Sequence, residues 1–236
     1  ALIPGSLLGY AHTSRITQTW IEKMILPFTV QGEVTTEHHN QSLVGLLYRL
    51  GTESPSFYDE DEQPVAYHNV ASLAPETVRL LVKGLGVAFL LLLFWSSRSP
   101  MAPRERTRLT AEFALVLLGM LLFSERTWKH HCVTLLLPVG LLCYIATAWP
   151  VSRRTRHLIF AVLGAATLIM ATTSTSLTAG LGLGKEAAKL AQVYGAYVWA
   201  ELLLLGTIAV LIHGVLARSE AAAPDHAGKP RLGQAA

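Results

Sequence analysis

Long apolar runs alternate with short polar loops over residues 77–217. None of the runs shows the two-residue alternation of a barrel strand, and several exceed strand length. A helix needs roughly 20 apolar residues to cross a bilayer. The runs cover residues 77–97, 109–124, 132–149, 157–173 and 193–217, and the second is the shortest. We therefore predict an all-α fold, a polytopic bundle of about five transmembrane helices, with a kink at Pro138 in the third.

The first 76 residues follow a different pattern, which predicts short helices and a loop. Apolar residues recur at helical spacing, as in an amphipathic helix lying on a membrane surface. They are Ile16, Trp20, Ile21, Met24, Ile25 and Phe28. A second short helix is predicted over residues 40–50. A solvated loop is predicted over residues 54–75, which hold three prolines and the acidic run 59–62.

Composition narrows the class of protein. The chain is 51% hydrophobic and only 15% charged, which excludes an ordinary cytosolic domain and a disordered chain. Two cysteines exclude a disulfide scaffold. The chain begins with Ala and lacks a signal-peptide pattern, and residues 2–5 are typical of the end of a preceding helix. We expect a fragment that lacks an N-terminal membrane part.

Loop charge predicts the orientation in the membrane. Residues 1–76 carry a net charge of −6, whereas residues 77–236 carry +9. The loops after the first and third predicted spans hold seven arginines, and the two loops between the remaining spans hold four basic residues. Because arginine-rich loops face the cytoplasm, we expect an integral plasma-membrane protein with residues 1–76 extracytoplasmic. Residues 218–236 are then a disordered cytoplasmic tail.

The densest group of candidate binding residues lies between the second and third spans. It consists of Arg126, Trp128, Lys129, His130 and His131. Cationic side chains and the free N–H groups of a helix N-terminus both favour phosphate. The same residues also suit a simple interfacial position, with Trp128 as an anchor. Two adjacent histidines supply too few ligands for a metal ion, so no metal site is predicted.

Two short motifs in the predicted extracytoplasmic loops point to a family. One is Trp-x-His-His-x-Val before a leucine run and proline, carried by Ser124, Trp128, His130, His131, Val133, Leu137 and Pro138. The other is Asn-Gln-Ser-Leu-x-Gly at residues 40–45. In this order they resemble glycosyltransferase family 87, membrane enzymes of the GT-C superfamily that include polyprenyl-phosphate-mannose-dependent mannosyltransferases. The resemblance covers the C-terminal half of such an enzyme.

The resemblance implies a hexosyltransferase that moves a mannosyl-like unit from a polyprenyl-phosphate donor to a glycan or glycolipid acceptor on the extracytoplasmic side. The implied residues that bind the donor phosphate or sugar are His130, His131, Arg126, Lys129, Trp128, Asn40 and Gln41. Membrane lipid is a further partner, and no cofactor is implied beyond the lipid-linked co-substrate. Residues 125–127 depart from the family pattern. The family's acidic base belongs to an N-terminal loop that these residues do not match, so no catalytic residue is assigned.

Asn40 has two other interpretations. Asn is a favoured helix N-cap, and residue 40 lies at the predicted start of the second helix. Residues 40–42 also form an N-glycosylation acceptor tripeptide. His38 and His39 beside it are expected to be solvated rather than ligating.

Glu201 and Lys83 are ionisable residues inside predicted spans. Glu201 is either a functional group facing a cavity or a protonated carboxyl bonded between helices. Lys83 follows Arg79 by one helical turn, and the two either contact lipid phosphate or extend to the membrane surface.

Several other function classes find no support in the sequence. No phosphate-binding P-loop, dinucleotide fingerprint in a strand context or nucleophile elbow occurs. The arginines lie at membrane boundaries without an aromatic platform, so nucleic acid is not an expected partner. The alternative to the enzyme is a non-catalytic transporter or assembly subunit with Glu201 on a conduction or relay path.

Overall fold

The computed structural model describes residues 6–7, 9–26, 33–59, 61, 63–98 and 106–217, which form a helical protein with one small hairpin. Several positions named above lie outside the described residues. They are residues 2–5, Phe28, Glu60, Glu62, Arg104, the tail 218–236 and the side chain of Met24.

The described α-helices are α1 (Tyr10–Trp20), α2 (Leu43–Gly51), α3 (Pro75–Ser97), α4 (Arg106–Phe123), α5 (Leu136–Ala148), α6 (Arg153–Ala171), α7 (Thr175–Gly180), α8 (Gly184–Val193) and α9 (Ala196–Leu211). Short π-helical turns extend α1 over Ile21–Ile25 and α9 over Ile212–Leu216. A 3₁₀ helix, Lys129–Leu135, leads into α5. The strands are β1 (Pro55–Tyr58) and β2 (Pro64–Tyr67).

Four helices within the described ranges are long and apolar enough to cross a membrane. They are Pro75–Ser97, Lys129–Ala148, Arg153–Ala171 and Ala196–Leu216. The protein is therefore a helical membrane protein, as the apolar runs predict. The remaining predicted span forms α4, whose 18 residues include three charged side chains and which does not meet the same criterion.

Two of the three charged side chains of α4 are paired inside the bundle, and the third, Arg106, is exposed. Arg108 Nε lies 3.2 Å from Glu112 Oε1, one helical turn away, and both side chains are buried. A second guanidinium nitrogen of Arg108 donates to the backbone oxygen of Ser96 in α3. A buried charge is costly unless it is paired and hydrogen-bonded. The pair thus explains how α4 packs inside the bundle although it carries two charged side chains there.

Helix α9 lies at the centre of the core. Ala200, Leu204 and Ile208 have no exposed surface and pack in one apolar cluster with residues of α4, α5 and α6. Helix α3 is the opposite case, since only Val78 and Ser96 are buried along its 23 residues. Its exposed leucines and Phe94 form an apolar surface that suits lipid rather than water.

The third span changes helix type near Pro138. The 3₁₀ helix ends at Leu135, and α5 begins at Leu136. Pro138 is therefore in the first turn of α5, where a missing backbone N–H costs no intrahelical hydrogen bond. In place of the predicted kink at Pro138, the irregularity lies just before it.

Two predicted loops contain regular structure. Residues 54–75 were expected to form a loop, but β1 and β2 pair antiparallel there, with Pro55 opposite Tyr67 and Tyr58 opposite Pro64. Both strands begin with proline, which a two-stranded ribbon with open edges tolerates. Between the last two spans, α7 and α8 replace a predicted loop, and positive φ angles of 75° and 76° at Gly182 and Gly184 allow the turn between them.

The N-terminal prediction is confirmed as a helix. Helix α1 and its π-helical extension cover the periodic apolar positions from Ile16 to Ile25, and α1 buries none of its residues. Ile16 and Trp20 are about half exposed. Such a face is consistent with an amphipathic helix on a membrane surface, which stays a prediction.

Candidate functional site

Asn40 joins the first part of the chain to the loop that precedes the third span. Its Nδ2 donates to the backbone oxygens of Thr35 and Glu125, both at 2.8 Å. Its Oδ1 accepts from the backbone nitrogens of Ser42, at 3.1 Å, and Thr127, at 3.0 Å. An amide side chain offers two donors and one oxygen with two lone pairs, so all four positions are used. Asn40 has no exposed surface.

Gln41 makes a second set of long-range contacts. Its backbone nitrogen donates to Thr127 O at 2.6 Å. Its Nε2 donates to His38 O at 2.6 Å and to Gln192 O, at the end of α8, at 2.9 Å. Gln41 is also fully buried. The structure therefore gives Asn40 and Gln41 a positioning role, and neither side chain lies at a surface where it contacts a sugar.

Ser42, not Asn40, is the N-cap of α2. Ser42 Oγ accepts from the backbone nitrogen of Gly45 at 3.0 Å. Gly45 itself lies against Asn40, because a Cβ at this position would be 2.5 Å from Asn40 Nδ2 and 3.1 Å from Thr35 O. The Asn, Gln, Ser and Gly of the motif at residues 40–45 thus belong to one packed contact between residues 35–49 and residues 125–127, here called the junction.

Arg49 completes this junction, a role that the sequence patterns do not predict. It is fully buried in α2, and its guanidinium donates only to carbonyls in the contacts that the structure describes. These are the backbone oxygens of Thr36, Glu37, Asn40, Gln192 and Val193, at 2.8–3.2 Å. Burial lowers the pKa of Arg49 to about 10, which still leaves it protonated at neutral pH. An arginine within the apolar run of a short helix was the available signal.

The exposed residues of the site surround a pocket of about 370 Å³, here called the polar pocket. It is lined by Glu37, His39, Trp128, Lys129 and His130. The rings of Trp128 and His130 meet edge to face, 5.6 Å apart. The two groups of lining residues are about 90 positions apart in the sequence, and the hydrogen bonds from Asn40 to Glu125 and Thr127 and from Gln41 to Thr127 hold them together.

An apolar groove of about 660 Å³ adjoins the polar pocket. Lys129 and His130 line both spaces. The rest of the groove is formed by Cys132, Val133, Leu135, Leu136, Val139, Thr167, Met170, Ala171 and Tyr197. The groove therefore runs along the third span and faces the end of α6, with a basic side chain and an imidazole at its polar end.

Lys129 is held at this boundary by the end of α6. Its Nζ donates to Thr173 O at 2.9 Å. One of three ammonium protons is thereby used, which leaves donors for an anion. The backbone oxygen it contacts follows the C-terminus of α6, where a positive charge is favoured.

His131 has a fixed orientation at the start of the 3₁₀ helix. Its Nδ1 accepts from the backbone nitrogen of Trp128 at 3.2 Å, and its own backbone nitrogen donates to Trp128 O at 2.8 Å. A neutral ring that accepts at Nδ1 carries its proton on Nε2. His131 is exposed and its ring centroid lies 4.2 Å from that of His130. Its Nε2–H can therefore donate to a ligand.

Arg126 is half-buried and faces the junction. Its Nε donates to Thr35 Oγ1 at 2.8 Å. Of the predicted site residues, Trp128, Lys129 and His130 thus line the polar pocket, His131 lies beside them, and Arg126 supports the loop.

The prediction that His38 is solvated is wrong. Only 7% of its surface is exposed, and its ring centroid lies 4.4 Å from that of Phe57 in β1. Burial and the nearby His39 lower the pKa of His38 to about 4, so its ring is neutral at pH 7. His39 is exposed, as predicted.

Glu201 and Lys83 lie away from the polar pocket. Glu201 is fully buried in α9, its Oε1 accepts from Cys132 Sγ at 3.8 Å, and its Oε2 has no hydrogen-bond partner among the described residues. Cys132 also lines the apolar groove, so Cys132 lies between Glu201 and the groove. Lys83 is exposed on α3 and lines neither space.

Comparison with known protein families, curated proteins and solved structures finds no match to this chain.

Proposed function

We propose that this chain binds a polyprenyl-phosphate-linked hexose and forms the donor-binding part of a membrane hexosyltransferase. The observation that carries the proposal is the adjacency of the polar pocket and the apolar groove, which share Lys129 and His130. A polyprenyl-phosphate sugar has the same order of parts, namely an apolar chain, a phosphate and a polar sugar. The two motifs that resemble glycosyltransferase family 87 lie in the junction that builds the pocket.

In this proposal the phosphate occupies the boundary between the two spaces. Lys129 supplies a charge there, and His131 supplies its Nε2–H. The prenyl chain lies along Val133, Leu136 and Met170. Lipid tails are as apolar as the groove, so the groove adds little free energy by excluding water. Selectivity for the donor then comes from the charged and hydrogen-bonding groups at the polar end.

The reaction is displacement at the anomeric carbon of the hexose. An acceptor hydroxyl on a glycan or glycolipid forms the new bond as the bond to the phosphate oxygen breaks, and the lipid phosphate leaves. Negative charge grows on that oxygen, and preorganised donors beside it stabilise the transition state by several kcal/mol. The base that takes the acceptor proton belongs to a part of the enzyme outside these residues. We place residues 33–71 and 124–131 on the extracytoplasmic side, as the loop charges predict.

A sugar-transfer assay tests the proposal. Membranes containing the full-length protein are incubated with a panel of radiolabelled polyprenyl-phosphate hexoses, and products are separated by chromatography. We expect transfer from at least one donor, with the Lys129→Ala variant slower by about 10²-fold or more because the charge beside the leaving phosphate is lost. Lys185→Ala, an exposed lysine that lines neither space, is the matched control and keeps the parental rate. Undiminished transfer by Lys129→Ala at normal expression would contradict the proposal.

One observation favours a second candidate, a transporter or assembly subunit. Glu201 Oε2 is buried in a membrane span without a partner in the described part of the chain, and such groups mark ion or proton pathways. Glu201→Gln separates the two functions. Loss of proton-coupled flux in proteoliposomes, in a protein without sugar transfer, would support the second candidate over the enzyme.

A further inference from the structure

Three consecutive residues at the edge of the polar pocket have the chemistry of a metal site. Glu37, His38 and His39 each place one possible ligand atom within 4.8 Å of the others. The pair His39 Nε2 and Glu37 Oε1 is separated by 3.8 Å. Zn²⁺ binds nitrogen and oxygen at about 2.0–2.2 Å, so tetrahedral ligands lie roughly 3.3 Å apart. Small side-chain rotations therefore bring these atoms to bonding distance.

A second observation on His38 points independently to a ligand. Its Nδ1 is buried and has no hydrogen-bond partner among the described residues. A buried polar atom without a partner costs about 1–3 kcal/mol. A metal ion bound at Nδ1 removes that cost.

Access to this position is through the polar pocket. Glu37 is half-buried, His39 is exposed, and both line the pocket. An ion held by these three side chains keeps a coordination position open toward the pocket, which His130 also lines. Catalytic zinc sites have this pattern of three protein ligands and one exchangeable ligand.

The surrounding charges limit the affinity but do not exclude a cation. Arg49 and Lys189 are close enough to act on His38 electrostatically, so they disfavour a further positive charge. The carboxylate of Glu37 offsets part of this. Two imidazoles and one carboxylate favour first-row transition metals over Mg²⁺ or Ca²⁺, which prefer oxygen ligands.

We propose that Glu37, His38 and His39 bind one divalent transition-metal ion, with Zn²⁺ as the best fit to the ligands. The ion is a feature of the pocket wall, and its binding is measured without any sugar donor. Failure of the sugar-transfer proposal therefore does not affect this one, and the reverse also holds.

Titration of the metal into purified protein tests the site. The full-length protein is produced without a polyhistidine tag, stripped with a chelator and titrated with Zn²⁺ by calorimetry. Co²⁺ is added in parallel because its visible absorption reports coordination by protein ligands. We expect one equivalent to bind, with at least tenfold weaker affinity in His39→Ala and in Glu37→Gln. Both side chains reach the pocket surface. Because the ring of His39 also lies 3.8 Å from that of His38, the melting temperature of each metal-free variant is compared with that of the parent.

The matched control is His157→Ala, which removes an exposed histidine at the start of α6. It is expected to leave the affinity and stoichiometry unchanged. The proposal is overturned if the parent binds no Zn²⁺, or if His39→Ala and Glu37→Gln bind it as tightly as the parent. Binding that is abolished only by His130→Ala would likewise overturn it, because the ion would then be held by His130 and not by Glu37 and His39.

Discussion

The side chain of Asn40 donates a 2.8 Å hydrogen bond to the backbone oxygen of Glu125, 85 residues further along the chain. This contact fixes the loop before the third span against the segment that carries Glu37 and His39. The polar pocket exists because these two stretches are held together. A residue that suggests sugar binding in the sequence therefore acts through the backbone that it positions.

Replacement of Asn40 should destabilise the protein more than a typical surface substitution. Asn40→Ala leaves the backbone nitrogens of Ser42 and Thr127 without their acceptor and the oxygens of Thr35 and Glu125 without a donor. We expect a loss of about 2–4 kcal/mol in the free energy of unfolding, because buried unsatisfied groups cost about 1–3 kcal/mol each and part of the cost relaxes. Thermal unfolding in detergent measures it. Asn69→Ala, which removes a local bond to Ala71 O, is the control and should change little.

Gly45 should not accept a side chain. In Gly45→Ala the new Cβ would meet Asn40 Nδ2 at 2.5 Å, so either Asn40 or α2 must move. Overpacking of this kind typically costs about 1–3 kcal/mol. Gly140→Ala in α5 is the matched control, since a Cβ there meets nothing within 4 Å. Equal melting temperatures for the two variants would show that the junction is looser than described here.

Arg49→Lys should destabilise the protein although it keeps the positive charge. The guanidinium of Arg49 reaches five backbone oxygens on two sides, whereas an ammonium has three donors at a single point. We expect a loss of about 2–4 kcal/mol, with faster amide hydrogen exchange in residues 35–42. Arg153→Lys, at an exposed position in the first turn of α6, should show neither effect.

Two substitutions of His131 separate its structural and ligand-binding roles. His131→Asn keeps an acceptor near the position of Nδ1 for the Trp128 backbone nitrogen but removes the Nε2–H. His131→Ala removes both. We expect both variants to transfer sugar about 10²-fold more slowly, whereas only His131→Ala lowers the melting temperature. Parental transfer by a well-folded His131→Asn would show that the Nε2–H does not contact the donor.

The sequence predicts the spans well because their signal is local. Long apolar runs define α3 and the third, fourth and fifth predicted spans to within a few residues of their observed bounds. The charged residues of α4 are harder to interpret, because the Arg108–Glu112 pair is stabilised by burial against α3. Nothing in a hydropathy pattern shows that two charges are paired in the folded chain.

The site is predictable only in part, because its residues meet through long-range contacts. The basic cluster at residues 126–131 is visible in the sequence, and Lys129 and His130 do line both spaces. The burial of His38 depends on Phe57 in a hairpin whose prolines and acidic neighbours favour a loop interpretation. The role of Arg49 depends on backbone oxygens in α8, more than 140 positions away. Local periodicity carries no information about such partners.

The most direct test of the account locates the donor lipid on the protein. Full-length protein in membranes is labelled with a photoreactive polyprenyl-phosphate hexose, and the modified peptides are identified by mass spectrometry. We expect labelling at the groove residues Val133, Leu136, Val139 or Met170. Lys129→Ala combined with His130→Ala should reduce this labelling at least tenfold, and Lys185→Ala should leave it unchanged. Labelling confined to the lipid-facing surface of α3, or unaffected by the paired substitution, would contradict it.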